Sequence, residues 1–318
     1  MNLATPSPRL PAHIGQRLRL PLVAAPMLRV SDPALVAACC RAGVIGAFPT
    51  ANARSAAELD DWLAAIGSGI GLREAAAPWA PNLIMRSPRL DADLAVLLAH
   101  RPEIVITSVG SPAPVVQALH AVGCQVWADV ATLAHARKAL EAGADGLVLL
   151  GAGAGGQTGW LNPLAFVRAL RRETQALLVL AGGMADGVAL RAACVLGADL
   201  GYAGTRFIAT QESAAEPAYK AMLVDCGADD VLLTRAFTGL PTSMLRPSIR
   251  ANGLDPDRLD ETLTPDLAGQ LFGAGASDGA PRRWRDVWSA GHSVSGVDGV
   301  PTVAELVRRL ELEYRAAG

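Results

Sequence analysis

Eight short apolar runs, each followed by a stretch of helical periodicity, constrain this chain more than any other feature of its sequence. The runs are Leu22–Ala25, Val44–Phe48, Pro81–Met85, Ile104–Val109, Gln125–Val130, Gly146–Leu150, Leu177–Ala181 and Leu200–Ala203. The helical stretches between them are Pro33–Ala42, Ala56–Ile66, Leu90–Ala99, Pro114–Ala121, Leu133–Ala142, Pro163–Glu173, Gly187–Leu196, and one beginning after Glu212. Uninterrupted apolar runs mark strands buried on both faces, as in a parallel sheet covered by helices. Strand and helix alternating eight times predict a parallel (β/α)8 TIM barrel. A doubly wound open sheet is the rival, but no GxGxxG follows the first strand. The boundary residues agree with the helix assignments. Ser31-Asp32-Pro33 and Asn162-Pro163 each place a capping side chain before a proline suited to the first turn. Gly43, Gly123, Gly143 and Gly197 stand where helices should stop.

The rhythm breaks after Val224. Residues 1–224 are expected to form the barrel, and 225–300 a mostly helical lid over its carboxyl-terminal mouth with no clear strand run. Residues 301–318 should form a final helix, Val303–Tyr314, packing back on the barrel through Leu306, Leu310 and Leu312.

Bulk properties narrow the function classes. Net charge is -2, which leaves no basic footprint for nucleic acid. No apolar run reaches the roughly 20 residues of a transmembrane helix, and the first 20 residues lack the apolar core of a signal peptide. A cytoplasmic protein is expected. Cys39, Cys40, Cys124, Cys194 and Cys226 show no metal-ligand spacing and read mostly as small buried hydrophobes, so neither a disulfide nor a metal is assigned.

The most specific signal for chemistry lies between Ala181 and Ser213. Gly182-Gly183 end the seventh apolar run and Gly204-Thr205 end the eighth. Glycine permits close backbone approach and exposes N–H donors, which suits a phosphate. In a (β/α)8 barrel the loops after the last two strands have this task. Other candidates sit at other strand ends. Ala25-Pro26-Met27 suits a flat ring lying against backbone and thioether, or else is an ordinary core methionine. Asn82, polar within an apolar strand, either ties two loops or reads a ring edge. Asp129 ends the fifth strand and either faces the site or caps the next helix. The sixth strand runs into Gly151-Ala152-Gly153-Ala154-Gly155-Gly156-Gln157-Thr158-Gly159, where Gln157 is the only long polar side chain. His292 lies in a small-residue loop of the lid and is a further candidate to face the site. No Ser-His-Asp set and no paired carboxylates can be read. Many backbone donors and few acid or base groups favour a cofactor that carries the reaction. Flavin mononucleotide (FMN) fits, with one phosphate and one flat ring at one barrel mouth.

With these residues in hand, the chain resembles the nitronate monooxygenase family, also called 2-nitropropane dioxygenase-like proteins. Ala25-Pro26-Met27, Asn82, Gly143-Ala144-Asp145, Gly155-Gly156-x-x-Gly159, Ala181-Gly182-Gly183 and Gly204-Thr205-Arg206-Phe207 fall in order and at family-like spacing. The resemblance implies that Gly182, Gly183, Gly204 and Thr205 hold the FMN phosphate. Pro26 and Met27 would lie near the ring, and Asn82 near its polar edge. Two departures stand out. Family members commonly carry histidine where Gln157 stands, and a basic residue on the fifth strand where Asp129 stands. Glutamine donates hydrogen bonds but cannot accept a proton at neutral pH.

The implied activity is oxidation of alkyl nitronates with O2 to a carbonyl compound and nitrite. Catalytic candidates are Gln157, His292 and Asp129. The cofactor set is Ala25, Pro26, Met27, Asn82, Asp129, Gly155, Gly156, Gln157, Gly182, Gly183, Gly204 and Thr205. An NAD(P)H-dependent flavin reductase of enoyl-thioester or quinone type is the alternative. A flavin-free phosphate-binding isomerase or aldolase and a non-catalytic flavin protein rank below it.

Overall fold

The computed structural model describes residues 9–71, 75–273, 276–277 and 280–318. In chain order, α1 (Ala12–Gly15) precedes β1 (Leu22–Ala24), α2 (Pro33–Ala42), β2 (Ile45–Pro49) and α3 (Ala56–Ile70). Next come β3 (Trp79–Ile84), α4 (Leu90–His100), β4 (Ile104–Ser108), α5 (Ala113–Ala121), β5 (Gln125–Val130) and α6 (Leu133–Glu141). These lead to β6 (Gly146–Leu150), β7 (Gly156–Gln157), α7 (Pro163–Glu173), β8 (Leu177–Ala181), α8 (Gly187–Leu196) and β9 (Leu200–Ala203). The remainder is α9 (Thr205–Ile208), α10 (Pro217–Asp225), β10 (Val231–Thr234), β11 (Thr242–Leu245), α11 (Arg246–Ala251), α12 (Pro265–Phe272) and α13 (Val303–Ala316).

Strands β1, β2, β3, β4, β5, β6, β8 and β9 close into one parallel barrel, with β9 pairing back onto β1. The (β/α)8 expectation holds, and the strand ends fall within a few residues of those read from the sequence. The local reasons are visible at the helix termini. Asp32 accepts from the Leu35 N–H at 2.9 Å ahead of Pro33, and Asp186 accepts from the Ala189 N–H at 2.7 Å. Asn162 accepts from the Leu164 N–H at 2.9 Å. Gly43 and Gly197 end their helices at φ 86° and 108°, a region costly for any other residue.

The barrel is filled rather than hollow. Val23, Ile45, Ile106, Trp127, Val148 and Val179 meet along its axis, and Leu10 and Ile14 close its amino-terminal end. A second, larger apolar shell lies between strands and helices. Helix α13 joins that shell through Leu306, Val307, Leu310 and Tyr314, whereas Leu312 points out, 65% exposed. The expected seam was therefore shifted by part of a turn.

The segment after the barrel differs from expectation. It carries strands as well as helices: β10 pairs antiparallel with β11, and β11 pairs with β7 in the loop after β6. Four-residue strands of the type Val-Leu-Leu-Thr have no period long enough to read alone, and this pair gains its third strand only from a distant loop. Phe237, Met244, Ile249 and Val287 form a small core of their own beneath it. No helix among the described residues is long and apolar enough to cross a membrane.

Candidate active site

The carboxyl-terminal strand ends and the lid enclose a cavity of about 1320 Å³. Every residue of the expected cofactor set lines it: Ala25, Pro26, Met27, Asn82, Asp129, Gly155, Gly156, Gln157, Gly182, Gly183, Gly204 and Thr205. The two glycine turns adjoin because Ala181 pairs with Tyr202, so both loops leave the sheet edge at nearly the same height. Gly182 and Gly183 have φ of 107° and 77°, and no atom lies within 4 Å of where a Gly183 Cβ would stand. That open space beside backbone is the cradle a phosphate needs. At Gly204 a Cβ would stand 3.4 Å from the Met27 sulfur, so Met27 lies against this turn.

The loop holding Pro26 and Met27 is clasped by a residue the sequence did not single out. Asn52 Nδ2 donates to the carbonyls of Met27 (2.9 Å) and Ser31 (2.8 Å), and its Oδ1 accepts from the Arg29 N–H at 2.9 Å. Ser31 Oγ accepts from the Met27 N–H at 3.0 Å. Arg29, bent to φ 63°, is held by this clasp. An asparagine after a strand has no distinctive pattern, so no sequence signal marked it.

Asn82 is buried and both ties strands and faces the cavity. Its Oδ1 accepts from Ser108 Oγ at 3.1 Å, and its Nδ2 makes only a long 3.5 Å contact to the Ile106 carbonyl. Asp129 is not a helix cap, since Thr132 Oγ1 accepts from the His135 N–H at 3.0 Å and caps α6 itself. Asp129 lines the cavity instead, with Oδ1 sealed from solvent and without a hydrogen-bond partner. Burial pushes its carboxyl up to about 7. Tyr202, also in the lining, has a sealed hydroxyl without a partner, and burial and the Asp129 charge raise its pKa. Buried polar atoms are normally satisfied. Two orphans at one cavity suit the polar edge of a bound flavin. A lone tyrosine in the last apolar run was the available signal for Tyr202.

Gln157 is exposed at the rim, and its backbone is held by pairing with Thr242 of the lid. Thr158 N–H donates to the Pro241 carbonyl at 3.1 Å, fastening the same loop. His292 is a correction. It is exposed, lies outside the cavity lining, and its ring stands beside Gly153, where a Cβ would meet Nδ1 at 2.7 Å. Its own backbone turns it away, because His292 N–H donates to the Gly153 carbonyl while neighbouring Ser289, Ala290 and Ser293 form the wall. Gly291 N–H donates to Thr205 Oγ1 at 3.0 Å, joining this strap to the β9 turn. Tyr219 stacks on Trp288 at 4.9 Å and donates to the Ser289 carbonyl.

A filled (β/α)8 barrel with paired glycine turns at its last two strands defines a barrel enzyme that binds a phosphate-bearing cofactor. Comparison with known proteins specifies which. Residues 72–313 match the family described as nitronate monooxygenase. The nitronate monooxygenase of Paraburkholderia phytofirmans is 30% identical, over 93% of this chain and 92% of that protein. Among solved structures, nitroalkane oxidase from Streptomyces ansochromogenes superposes with a TM-score of 0.80 at 27% identity, covering 96% of this chain and 99% of that one. FabK from Thermotoga maritima gives a TM-score of 0.80 at 26% identity, with 94% of each chain covered. The chain belongs to the nitronate monooxygenase family and is an FMN-dependent oxidoreductase.

Proposed function

We propose that the protein oxidises alkyl nitronates with O2 to a carbonyl compound and nitrite. The observation that carries this reading is the charge of the cavity wall. Among the described residues Asp129 is its only acidic lining residue, and its carboxyl is held near 7, whereas Arg86 and Lys138 at the rim are cationic. Such a wall accepts an anion. It provides no strong general base at Gln157, so a substrate that arrives already ionised suits it best.

FMN, when bound, supplies the redox chemistry by accepting the substrate's electrons and delivering them to O2. The chain's residues do the rest. Gly182, Gly183, Gly204 and Thr205 would hold the phosphate through backbone and hydroxyl. Pro26 and Met27, positioned by Asn52, would support the ring. Asn82 and Tyr202 would meet its polar edge. Gln157 would donate an N–H to a nitro oxygen at the rim. The protonated form of Asp129 would leave the anion unopposed, and its ionised form would repel it. Trp288, Ser289, Ala290 and Ser293 of the strap form one wall of the cavity and would limit water beside the ring.

A second reading, an NAD(P)H-dependent flavin reductase of enoyl-thioester or quinone type, is favoured by one observation. A cavity of about 1320 Å³ is generous for FMN with a small nitronate. Anaerobic mixing of the holoenzyme with propyl-2-nitronate and, separately, with NADPH divides the two. Bleaching of the flavin absorbance by the nitronate alone is expected. Bleaching by NADPH alone overturns the nitronate reading in favour of the reductase.

A further inference from the structure

One lid cation built into the cavity wall has no counter-ion among the described residues. Arg283 is half-buried, lines the cavity, and donates Nη1 to the Phe237 carbonyl at 3.0 Å. Among the described residues no carboxylate pairs with it, and burial lowers its pKa from the ordinary arginine value. Desolvating a guanidinium without a partner is costly. One carbonyl engages one of five N–H donors and leaves most of the fork unused. That fork matches the two oxygens of a carboxylate or phosphate.

The side chain's origin is fixed rather than loose. Arg283 N–H donates to the Phe272 carbonyl at 2.8 Å, and Trp284 N–H to the Val287 carbonyl at 3.0 Å. Phe237 and Val287, fully buried, anchor this turn in the lid's own core. Trp284 itself sits at φ 67°, left-handed backbone that a bulky residue adopts only where its surroundings impose it. Its ring lies over the β7 loop, 3.9 Å from where a Gly156 Cβ would stand. The lid thus maintains strain beside the cavity and places a cation there. Arg86 and Lys138, exposed at the rim, add to the same positive field.

We propose that Arg283 is a specificity-determining residue that binds a second anionic group, a carboxylate or a phosphate, carried on the substrate away from its reacting carbon. The proposal rests on the nitronate reading for the reacting end only, and the charged tail is read from the lid. The competing explanation is that Arg283 merely ties the Phe237 loop in place.

The test uses the holoenzyme and three preformed nitronates, from γ-nitrobutanoate, γ-nitropropyl phosphate and nitropentane. Wild type is expected to favour one charged tail over the neutral one in kcat/KM by about 10- to 100-fold, the range of a hydrogen-bonded charge. Arg283→Gln should erase that preference through KM while leaving the neutral substrate within about twofold, which also shows that the variant is folded. Arg283→Lys should restore part of it, since a point charge lacks the fork. Equal kcat/KM on all three in wild type, or an equal fall for charged and neutral tails in Arg283→Gln, overturns the proposal. The better of the two charged tails identifies the anion.

A binding readout separates this proposal from the reaction it assumes. Flavin difference spectra are titrated anaerobically with butanoate, butyl phosphate and butanol. A spectral change with one of the anions that is absent with butanol and lost in Arg283→Gln supports the subsite even if no nitronate is oxidised, in which case only the nitronate reading fails. Identical responses to anion and alcohol, with active enzyme, overturn the subsite alone.

Discussion

The barrel and the lid share one cavity but are held together in different ways. Each barrel element carries its own local instructions. Asp32, Asn162 and Asp186 cap their helices, Gly43 and Gly197 stop them, and most strand residues are apolar and buried. The lid has few such signals. Its hairpin of β10 and β11 is completed by two residues of β7 from the barrel, and its core draws on Phe237, Met244, Ile249 and Val287, brought together from separate turns. The barrel supplies the glycine cradle, the β1 loop and the orphan pair Asp129 and Tyr202. The lid supplies Arg283, Trp284 and the strap over Thr205. On the proposed roles, cofactor retention and substrate choice would be carried by regions of different cooperative origin.

The largest expected effect breaks that division deliberately. Trp127→Ala, at a fully buried axial position, should cost about 3–5 kcal/mol and release FMN on global unfolding. Phe237→Ala, equally buried but in the lid core, should keep FMN and the main thermal transition while raising KM at least about tenfold. Calorimetry with flavin fluorescence checks both. Simultaneous loss of flavin and lid in Phe237→Ala would show that the two regions unfold as one.

Asp129 sharpens the barrel's side. Its folded pKa of about 7 lies above the unfolded carboxylate value of ~3.9. Its contribution to stability is therefore complete below about pH 4 and is lost as pH rises through about 7, by a few kcal/mol at ~1.4 kcal/mol per pKa unit. Asp129→Asn should raise the melting temperature at pH 8 and not at pH 4. Wild type should lose kcat/KM for preformed nitronates above pH 7, and the same substitution should flatten that fall. A wild-type rate that rises through pH 7 would instead make Asp129 a base.

Asn52→Ala tests the clasp. Losing three hydrogen bonds to the β1 loop should weaken FMN binding about tenfold and lower stability by about 1–3 kcal/mol, read by flavin release on dilution. The smallest effect is expected at the rim. Gln157→His should leave folding and FMN unchanged while adding slow turnover of neutral nitroalkanes, measured as nitrite release. Wild-type turnover of nitroalkane and nitronate at similar rates would remove Gln157 from the argument.

Almost all of the barrel was legible in the sequence, and so was the gathering of the candidate cofactor residues around one cavity, because each depends on residues close together in the chain. A strand end followed by Gly-Gly or Gly-Thr tells its position within a few residues. His292 could not be judged this way, since whether it faces inward depends on a bond to Gly153 far along the chain. Leu312 misled because a helical seam drifts by fractions of a turn. Three arginines flank Trp284 in Arg282-Arg283-Trp284-Arg285, but three like neighbours give no reason to prefer one.

The amino-acid order alone determined the (β/α)8 topology, the helix limits and the strand ends that meet at the mouth, since capping, periodicity and close approach are local properties of the chain. Tertiary structure decided the rest: the β7 pairing that holds Gln157, the Asn52 clasp, the orphaned Asp129 and Tyr202 oxygens, and an Arg283 guanidinium with no counter-ion among the described residues. Burial and the absence of a partner are properties of what the fold brings alongside a group, and chain order does not encode them at short range.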